Sequence, residues 1–102
     1  MTDAPTIADV PAESRFLFRS VQGDAELVYH RNGSRLVLVH TEVPDALGGQ
    51  GIGGRLVRAA LDMAAREGLT VVPWCPFARH WLEEHPDEAA RVTVDWDSAP
   101  PR

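Results

Sequence analysis

A glycine-rich run near the middle of the chain has the composition of an anion-binding loop. It separates a nearly apolar segment, residues 35–43, from an amphipathic segment that begins at Ile52. Its members are Gly48, Gly49, Gln50, Gly51, Ile52, Gly53 and Gly54. Glycines leave backbone N–H groups uncovered, and the N-terminus of a helix adds the positive end of its dipole. The run therefore predicts a loop that binds a diphosphate.

Residues 49–54 also match the pattern G-x-G-x-x-G of dinucleotide-binding folds. That fold requires an acidic residue about 20 positions further along the chain, for the ribose hydroxyls. Residues 69–74 fill that window and contain no carboxylate. The glycine run also follows predicted antiparallel strands instead of opening a parallel sheet. A dinucleotide-binding site is therefore excluded by its context.

Three side chains outside the loop are candidates for catalysis. Cys75 lies where a predicted strand ends and a helix begins, and a helix N-terminus favours a thiolate. It could act as a nucleophile or a proton donor, and the alternative is packing as a small apolar side chain. His40 and Glu42 share one face of a predicted strand and could relay a proton. Their alternatives are a buried, hydrogen-bonded histidine and a solvated carboxylate.

Composition excludes several classes of partner. The 102 residues carry a net charge of −5, and no basic face is visible, which argues against binding of nucleic acid or anionic membranes. All ten basic residues are arginines, so a Walker loop and Schiff-base chemistry, which require lysine, are excluded. A single cysteine, with His80 and His85 spaced five apart, does not form a metal-ligand pattern, so no metal is expected.

The location expected from the sequence is the cytoplasm. No apolar run approaches the roughly 18 residues needed to span a bilayer. Residues 1–13 are polar and acidic, and lack the basic and apolar regions of a signal peptide.

The elements that position these residues follow from periodicity. We expect a flexible leader at residues 1–14 and one domain at residues 15–97, with a disordered tail at 98–102. Alternating apolar residues predict strands around Phe16 and Phe18, at residues 25–30 and at residues 35–43. Asn32-Gly33 predicts a hairpin between the last two strands. These strands form an antiparallel meander, of which residues 35–43 are a central strand.

The second half of the chain alternates between helix and strand. An apolar stripe predicts a helix from Ile52 to the stop signal Gly68, with Arg58 among the residues of its solvated face. Residues 69–74 form a short strand that should lie parallel to residues 35–43 after this crossover. A further helix runs from Pro76 to His85, with Phe77, Trp81 and Leu82 facing inward. Residues 92–96 could add a last strand.

This order of elements resembles the GCN5-related N-acetyltransferase (GNAT) fold in a minimal form, an α/β (α+β) domain with a mixed sheet. The segments HTEVPDALGGQGIGGRLVRAAL and VVPWCPFARHWLEEHP are similar to those of a short GNAT-like group, of roughly 100 residues, with a Cys-Pro-Phe motif. The family's loop pattern is Arg/Gln-x-x-Gly-x-Gly/Ala. Gly51 and Gly53 match it, whereas Gly48 stands in place of the Arg or Gln.

The resemblance implies acetyl-coenzyme A (acetyl-CoA) as cofactor, with its diphosphate on the amides of the loop. The edge of residues 41–43 would pair with the pantetheine arm and separate from residues 69–74 to admit the thioester. The implied cofactor-binding residues outside the glycine run are Thr41, Val43, Arg55, Pro76 and Phe77.

The resemblance further implies an N-acetyltransferase that acts on an amine, with Cys75, His40 and Glu42 as candidate catalytic residues. The acceptor could be an exposed lysine, a polyamine or a partner protein. One alternative is a non-catalytic acyl-CoA-binding or CoA-binding module of the same fold. Another is an interaction domain that has lost the ligand.

Overall fold

The structure is a computed structural model that describes residues 7–100. Its strands are β1 (Ile7–Val10), β2 (Arg15–Ser20), β3 (Gly23–Asn32), β4 (Arg35–Glu42), β5 (Thr70–Pro73) and β6 (Thr93–Val94). Its helices are α1 (Ile52–Glu67), α2 (Pro76–Glu84) and α3 (Pro86–Ala89). Short 3₁₀ turns follow β1 and β4, at Pro11–Glu13 and Asp45–Leu47.

The six strands form one mixed sheet in chain order. Strands β1 to β4 are antiparallel neighbours, whereas β5 lies parallel to β4 and β6 parallel to β5. Gly33 adopts a left-handed φ of 60° in the hairpin between Asn32 and Arg35, as the Asn-Gly pair predicts. The fold class, the meander, the crossover helix and the parallel strand after it are thus confirmed.

One hydrophobic core joins the helices to a single face of the sheet. Alternate strand residues such as Phe16, Leu27 and Leu38 point into it and meet Leu56 of α1 and Leu82 of α2. Because α1, α2 and α3 all pack at this core, no helix covers the other face within residues 7–100. The sheet therefore has a helix-covered face and a face without a helix in this part of the chain, called the open face, although Leu17, Val37 and Val72 on it are buried.

The N-terminal expectation is wrong for residues 7–10, which form β1 instead of a flexible leader. Ile7 pairs with Phe18 in the register of β1 and β2. The Tyr29 hydroxyl also donates a hydrogen bond of 2.6 Å to Asp9, which ties β1 to β3. Residues 1–6 lie outside the described residues.

The end of the chain also differs in detail from the expectation. The last strand has only two residues, and the short helix α3 follows α2 directly after His85. Beyond β6, Arg35 forms a 2.7 Å ion pair with Asp95, and the Trp74 indole N–H donates to Ser98. The chain is thus held to the sheet as far as Ser98, although residues 98–102 were expected to form a disordered tail. Residues 101–102 lie outside the described part.

No helix in the described residues combines the length and the hydropathy that crossing a membrane requires.

Candidate cofactor groove and catalytic residues

The glycine run leads into an α1 N-terminus that no side chain caps. Gly51 is the N-cap residue, with φ 72°, and the first hydrogen bond of the helix runs from the Arg55 N–H to the Gly51 carbonyl at 3.1 Å. The N–H groups of Ile52, Gly53 and Gly54 therefore have no acceptor within α1. Unsatisfied N–H groups and the helix dipole favour a negative charge at this end.

Within the glycine run, two residues have to be glycine because of their backbone conformation. Gly49 and Gly51 have φ of 79° and 72°, in the left-handed region that side chains disfavour. A Cβ built on either residue would have no other atom within 4 Å. The loop is therefore open to the outside at these two positions.

Gly53 and Gly54 are required by helix packing instead. A Cβ on Gly53 would lie 2.5 Å from the Phe77 ring, and one on Gly54 would lie 2.5 Å from the Trp81 indole nitrogen. These glycines let α2 approach the first turn of α1. Close packing is therefore a second reason for glycine at these two positions, which the sequence alone does not reveal, and anion binding by their N–H groups stays a prediction.

A groove of about 450 Å³ opens beside the loop, between α1 and α2. The predicted cofactor-binding residues that line it are Val43, Gly48, Gly49, Gly51, Ile52, Gly53, Gly54 and Phe77. Phe77 was expected to face inward, yet it is 43% exposed, because its ring lies over the glycines at the surface. The remaining predicted residues, Thr41, Gln50, Arg55 and Pro76, do not belong to this lining.

Four further residues line the groove that sequence reasoning did not assign to it, namely Leu47, Arg58, Trp81 and His85. The Arg58 guanidinium lies over the Trp81 ring, with its carbon 5.3 Å from the ring centroid, and the His85 ring stacks on the same indole at 4.0 Å. Arg58 follows Gly54 by four residues, so both occupy one helix face. Once Gly54 is assigned to the site, this spacing of four residues indicates that Arg58 lies near it.

Arg55 takes a different direction from the one expected. Its guanidinium carbon lies 5.5 Å from the centroid of the Phe18 ring in β2. Arg55 thus faces the meander side of α1, whereas Arg58 faces α2. Arg58 is therefore the basic side chain that lines the groove.

Cys75 occupies the point where β4 and β5 separate. The last paired residues of these strands are Leu38 and Pro73, and the Cys75 N–H donates to the Leu38 carbonyl at 2.8 Å. Beyond this point β4 continues without a β5 partner, as the expected splay requires. The Cys75 side chain is 3% exposed, and its Sγ lies 3.2 Å from the Thr41 hydroxyl oxygen. The structure therefore brings Thr41 and Cys75 together across the gap.

His40 and Glu42 lie on the open face. Thr41 pairs with the core residue Leu27, so its neighbours in β4 point the opposite way. Their side chains are 57% and 67% exposed, with His40 Nε2 and Glu42 Oε2 3.4 Å apart. The two share one face as the sequence predicts, but that face is turned away from the groove and from Cys75.

No group of three His, Cys, Asp or Glu side chains in residues 7–100 is placed to hold a metal ion.

An antiparallel meander, a glycine loop at a helix N-terminus and a parallel strand define the GNAT class of fold, and comparison with known families agrees. The model of the GCN5-related N-acetyltransferase family matches residues 15–92. The chain belongs to this family.

Known proteins support the same assignment. Over 63 residues, 61% of this chain, it is 43% identical to Protein NATD1 of Homo sapiens and to that of Gallus gallus. The alignments cover 56% and 57% of these relatives, little more than half of their length. A solution NMR structure from Staphylococcus aureus, described as a GCN5-like N-acetyltransferase, superposes with a TM-score of 0.69 at 27% identity, covering 90% of this chain and 91% of that one.

Proposed function

We propose that this protein is an acetyl-CoA-dependent N-acetyltransferase that transfers acetyl to an amine. The observation that carries the proposal is the open groove at the uncapped N-terminus of α1. Membership of the GCN5-related N-acetyltransferase family supports it independently.

The residues around the groove fit the chemistry of coenzyme A. The free N–H groups at the start of α1 suit a diphosphate, and the open space at Gly49 and Gly51 leaves room for one. Val43, Leu47 and Phe77 give the groove an apolar wall suited to a pantetheine chain. Its volume of about 450 Å³ suits a ligand that remains partly in solvent.

The exposed edge of β4 beyond Leu38 would hold the pantetheine arm. Its backbone groups on the β5 side have no strand partner there, since the β4–β5 pairing ends at Pro73. An extended amide chain can pair with such an edge like an added strand. This would direct the acyl end of the ligand toward Thr41 and Cys75.

Acetyl-CoA supplies a thioester carbonyl that a neutral amine attacks, with release of a thiolate that needs a proton. We assign Cys75 as the proton donor. The described contact of its Sγ is the Thr41 hydroxyl at 3.2 Å, which is not a general base that would activate a nucleophile, so we prefer the role of proton donor. Cys75 is also the N-cap residue of α2, and a helix N-terminus is a position that favours a nucleophilic cysteine. A role of Cys75 as nucleophile is therefore the alternative that has to be tested.

His40 and Glu42 would accept the proton that the amine loses. Both are exposed on the open face, so an amine that approaches from that side would meet them before it reaches the gap between β4 and β5. The cofactor and the acceptor would then enter from opposite faces of the sheet.

The competing function is a CoA-binding module without turnover. The observation that favours it is the burial of Cys75, which is 3% exposed and does not line the groove. Both functions predict that CoA raises the melting temperature, because a ligand that binds only the folded state stabilises it. Only the enzyme releases free CoA thiol when acetyl-CoA is mixed with a panel of amines, polyamines and lysine peptides. Absence of any thermal shift at millimolar CoA would contradict both.

A further inference from the structure

The groove contains one side chain that is permanently cationic and that the cofactor loop does not supply. Arg58 lies on α1, one helical turn after Gly54, and lines the groove beside the loop. Its guanidinium lies on the side of α1 that faces α2 and α3, with its carbon 5.3 Å from the centroid of the Trp81 ring. The family's loop pattern has Arg or Gln where this chain has Gly48, so the loop itself contributes no basic side chain.

The Arg58 guanidinium is held in place, yet part of it remains available. Its Nε donates to Glu88 of α3 at 3.2 Å, and its plane lies near the Trp81 ring. Glu88 is itself fixed by Arg91, which also pairs with Asp62 of α1. Within residues 7–100 the two terminal nitrogens of Arg58 have no hydrogen-bond partner, and about half of the side chain is exposed. A guanidinium that is fixed through one nitrogen and open at two is suited to a phosphate.

The position of Arg58 separates it from the amides at the start of α1. Arg58 follows the N-cap Gly51 by seven residues, which corresponds to about 10 Å along the helix axis, and its guanidinium is held at Glu88 of α3. A single phosphate therefore does not engage both the loop amides and Arg58 with ideal geometry. A ligand with two separate phosphate positions would use both.

We propose that Arg58 forms a second phosphate subsite, which binds the phosphomonoester that coenzyme A carries on its ribose apart from the diphosphate. This inference rests on the proposed function, because it assumes that the groove takes CoA. Arg58 is then the residue that makes CoA bind more tightly than analogues that lack this phosphate.

The test compares two ligands on three proteins by isothermal titration calorimetry. The ligands are CoA and 3′-dephospho-CoA, and the proteins are the wild type, Arg58→Gln and the matched control Arg66→Gln. Arg66 is an exposed arginine in the last turn of the same helix, about 12 Å further along the axis. We expect the wild type and Arg66→Gln to bind CoA roughly tenfold more tightly than 3′-dephospho-CoA, the size of one charge-assisted contact. Arg58→Gln should bind both ligands equally weakly.

Two results would overturn the assignment. If Arg58→Gln weakens both ligands by the same factor, Arg58 contacts the diphosphate or only supports the groove. If it binds both ligands as the wild type does, Arg58 contacts neither phosphate. A wild type that binds neither ligand would instead contradict the proposed function itself.

A second variant separates charge from folding. Arg58→Lys keeps the positive charge but loses the planar fork of donors, so it should retain part of the preference for CoA. Melting temperatures of the unliganded variants show whether loss of the Glu88 contact destabilises the fold. If Arg58→Lys and Arg58→Gln both lose the preference for CoA while their melting temperatures stay unchanged, the preference depends on the bidentate contact of the guanidinium.

Discussion

The two faces of the sheet contribute to the site in different ways. On the helix-covered face, the groove is made of backbone: glycines, an uncapped helix start and the close approach of α2. On the open face, the candidate groups are exposed side chains, His40 and Glu42, on a strand that no helix covers. Cys75 lies between them, where β4 and β5 separate.

This difference predicts different responses to mutation. A site made of backbone tolerates side-chain truncation, whereas an added Cβ is costly where packing already fills the space, as at Gly54, or where φ is positive, as at Gly49 and Gly51. A site made of exposed side chains folds regardless of their identity and loses only its chemistry when they change. Cofactor binding and turnover should therefore be separable by residue.

The largest effect is expected at Cys75, where the two faces meet. Cys75→Ala should lower turnover by about 100-fold or more, the range for loss of general acid catalysis, while CoA affinity stays unchanged. Steady-state thiol release and calorimetry measure the two quantities. Mass spectrometry after incubation with acetyl-CoA alone should find no acetyl group on Cys75. Unchanged turnover in Cys75→Ala would reduce the residue to packing, and an acetylated Cys75 would make it the nucleophile.

The next effect compares neighbouring glycines of the groove. Gly54→Ala should lower the free energy of unfolding by about 1–3 kcal/mol, because its Cβ meets the Trp81 indole, which Arg58 and His85 hold in place. In the matched variant Gly53→Ala, the Cβ meets the outer end of the exposed Phe77 ring, which can turn away. That change should stay within about 1 kcal/mol of the wild type, helped by the better helix propensity of alanine. If urea unfolding shows that Gly53→Ala and Gly54→Ala lose the same free energy of unfolding, the packing explanation is wrong.

A smaller effect is expected on the open face. Glu42→Gln should lower kcat/KM for the amine by about tenfold, since it removes one proton acceptor while His40 remains close by. The affinity for CoA and the melting temperature should not change, because the side chain is exposed. Glu83→Gln, an exposed glutamate on α2, serves as the control. A loss of CoA affinity in Glu42→Gln would place the residue in the cofactor half of the site.

The smallest effect at neutral pH concerns Tyr29, which belongs to neither half of the site and joins β3 to β1. Burial, and then the hydrogen bond to Asp9, raise the pKa of Tyr29 from 10.0 to about 12. The neutral phenol is therefore favoured in the fold. This contribution is complete below about pH 10 and is lost as the pH rises to about 12, by up to about 2 kcal/mol.

Tyr29→Phe should accordingly flatten the decline of stability between pH 10 and 12, without changing CoA affinity at neutral pH. Chemical unfolding at several pH values measures the decline. If Tyr29→Phe loses stability between pH 10 and 12 as steeply as the wild type, groups other than Tyr29 cause the decline.

The sequence predicts the framework well, because its signals are local. Asn32-Gly33 defines the hairpin, and Gly68 ends α1 with a φ of 69°. The strand β1 was missed because its four residues include Ala8 and Asp9 and show little apolar alternation. It forms because the edge of β2 is available for pairing, which is a tertiary effect.

The site is predicted less completely, because a groove depends on how two helices meet. Periodicity assigns Arg58 to a solvated face, since that face points away from the sheet. The packing of α2 on Gly53 and Gly54 turns part of the same face into a groove wall. Likewise, alternation shows that His40 and Glu42 share a face, but only the register of β3 with β4 shows that it is the open one.

The proposed function depends on the amides of the glycine run holding the cofactor. The most direct measurement is an amide ¹H–¹⁵N NMR titration of the labelled protein with CoA. We predict that the largest amide shift changes occur at residues 48–55, with smaller ones at Phe77 and along the edge of β4 at residues 41–43, and little change in β1 and β2. If saturating CoA leaves the amide shifts of residues 48–55 unchanged, the glycine run does not hold the cofactor.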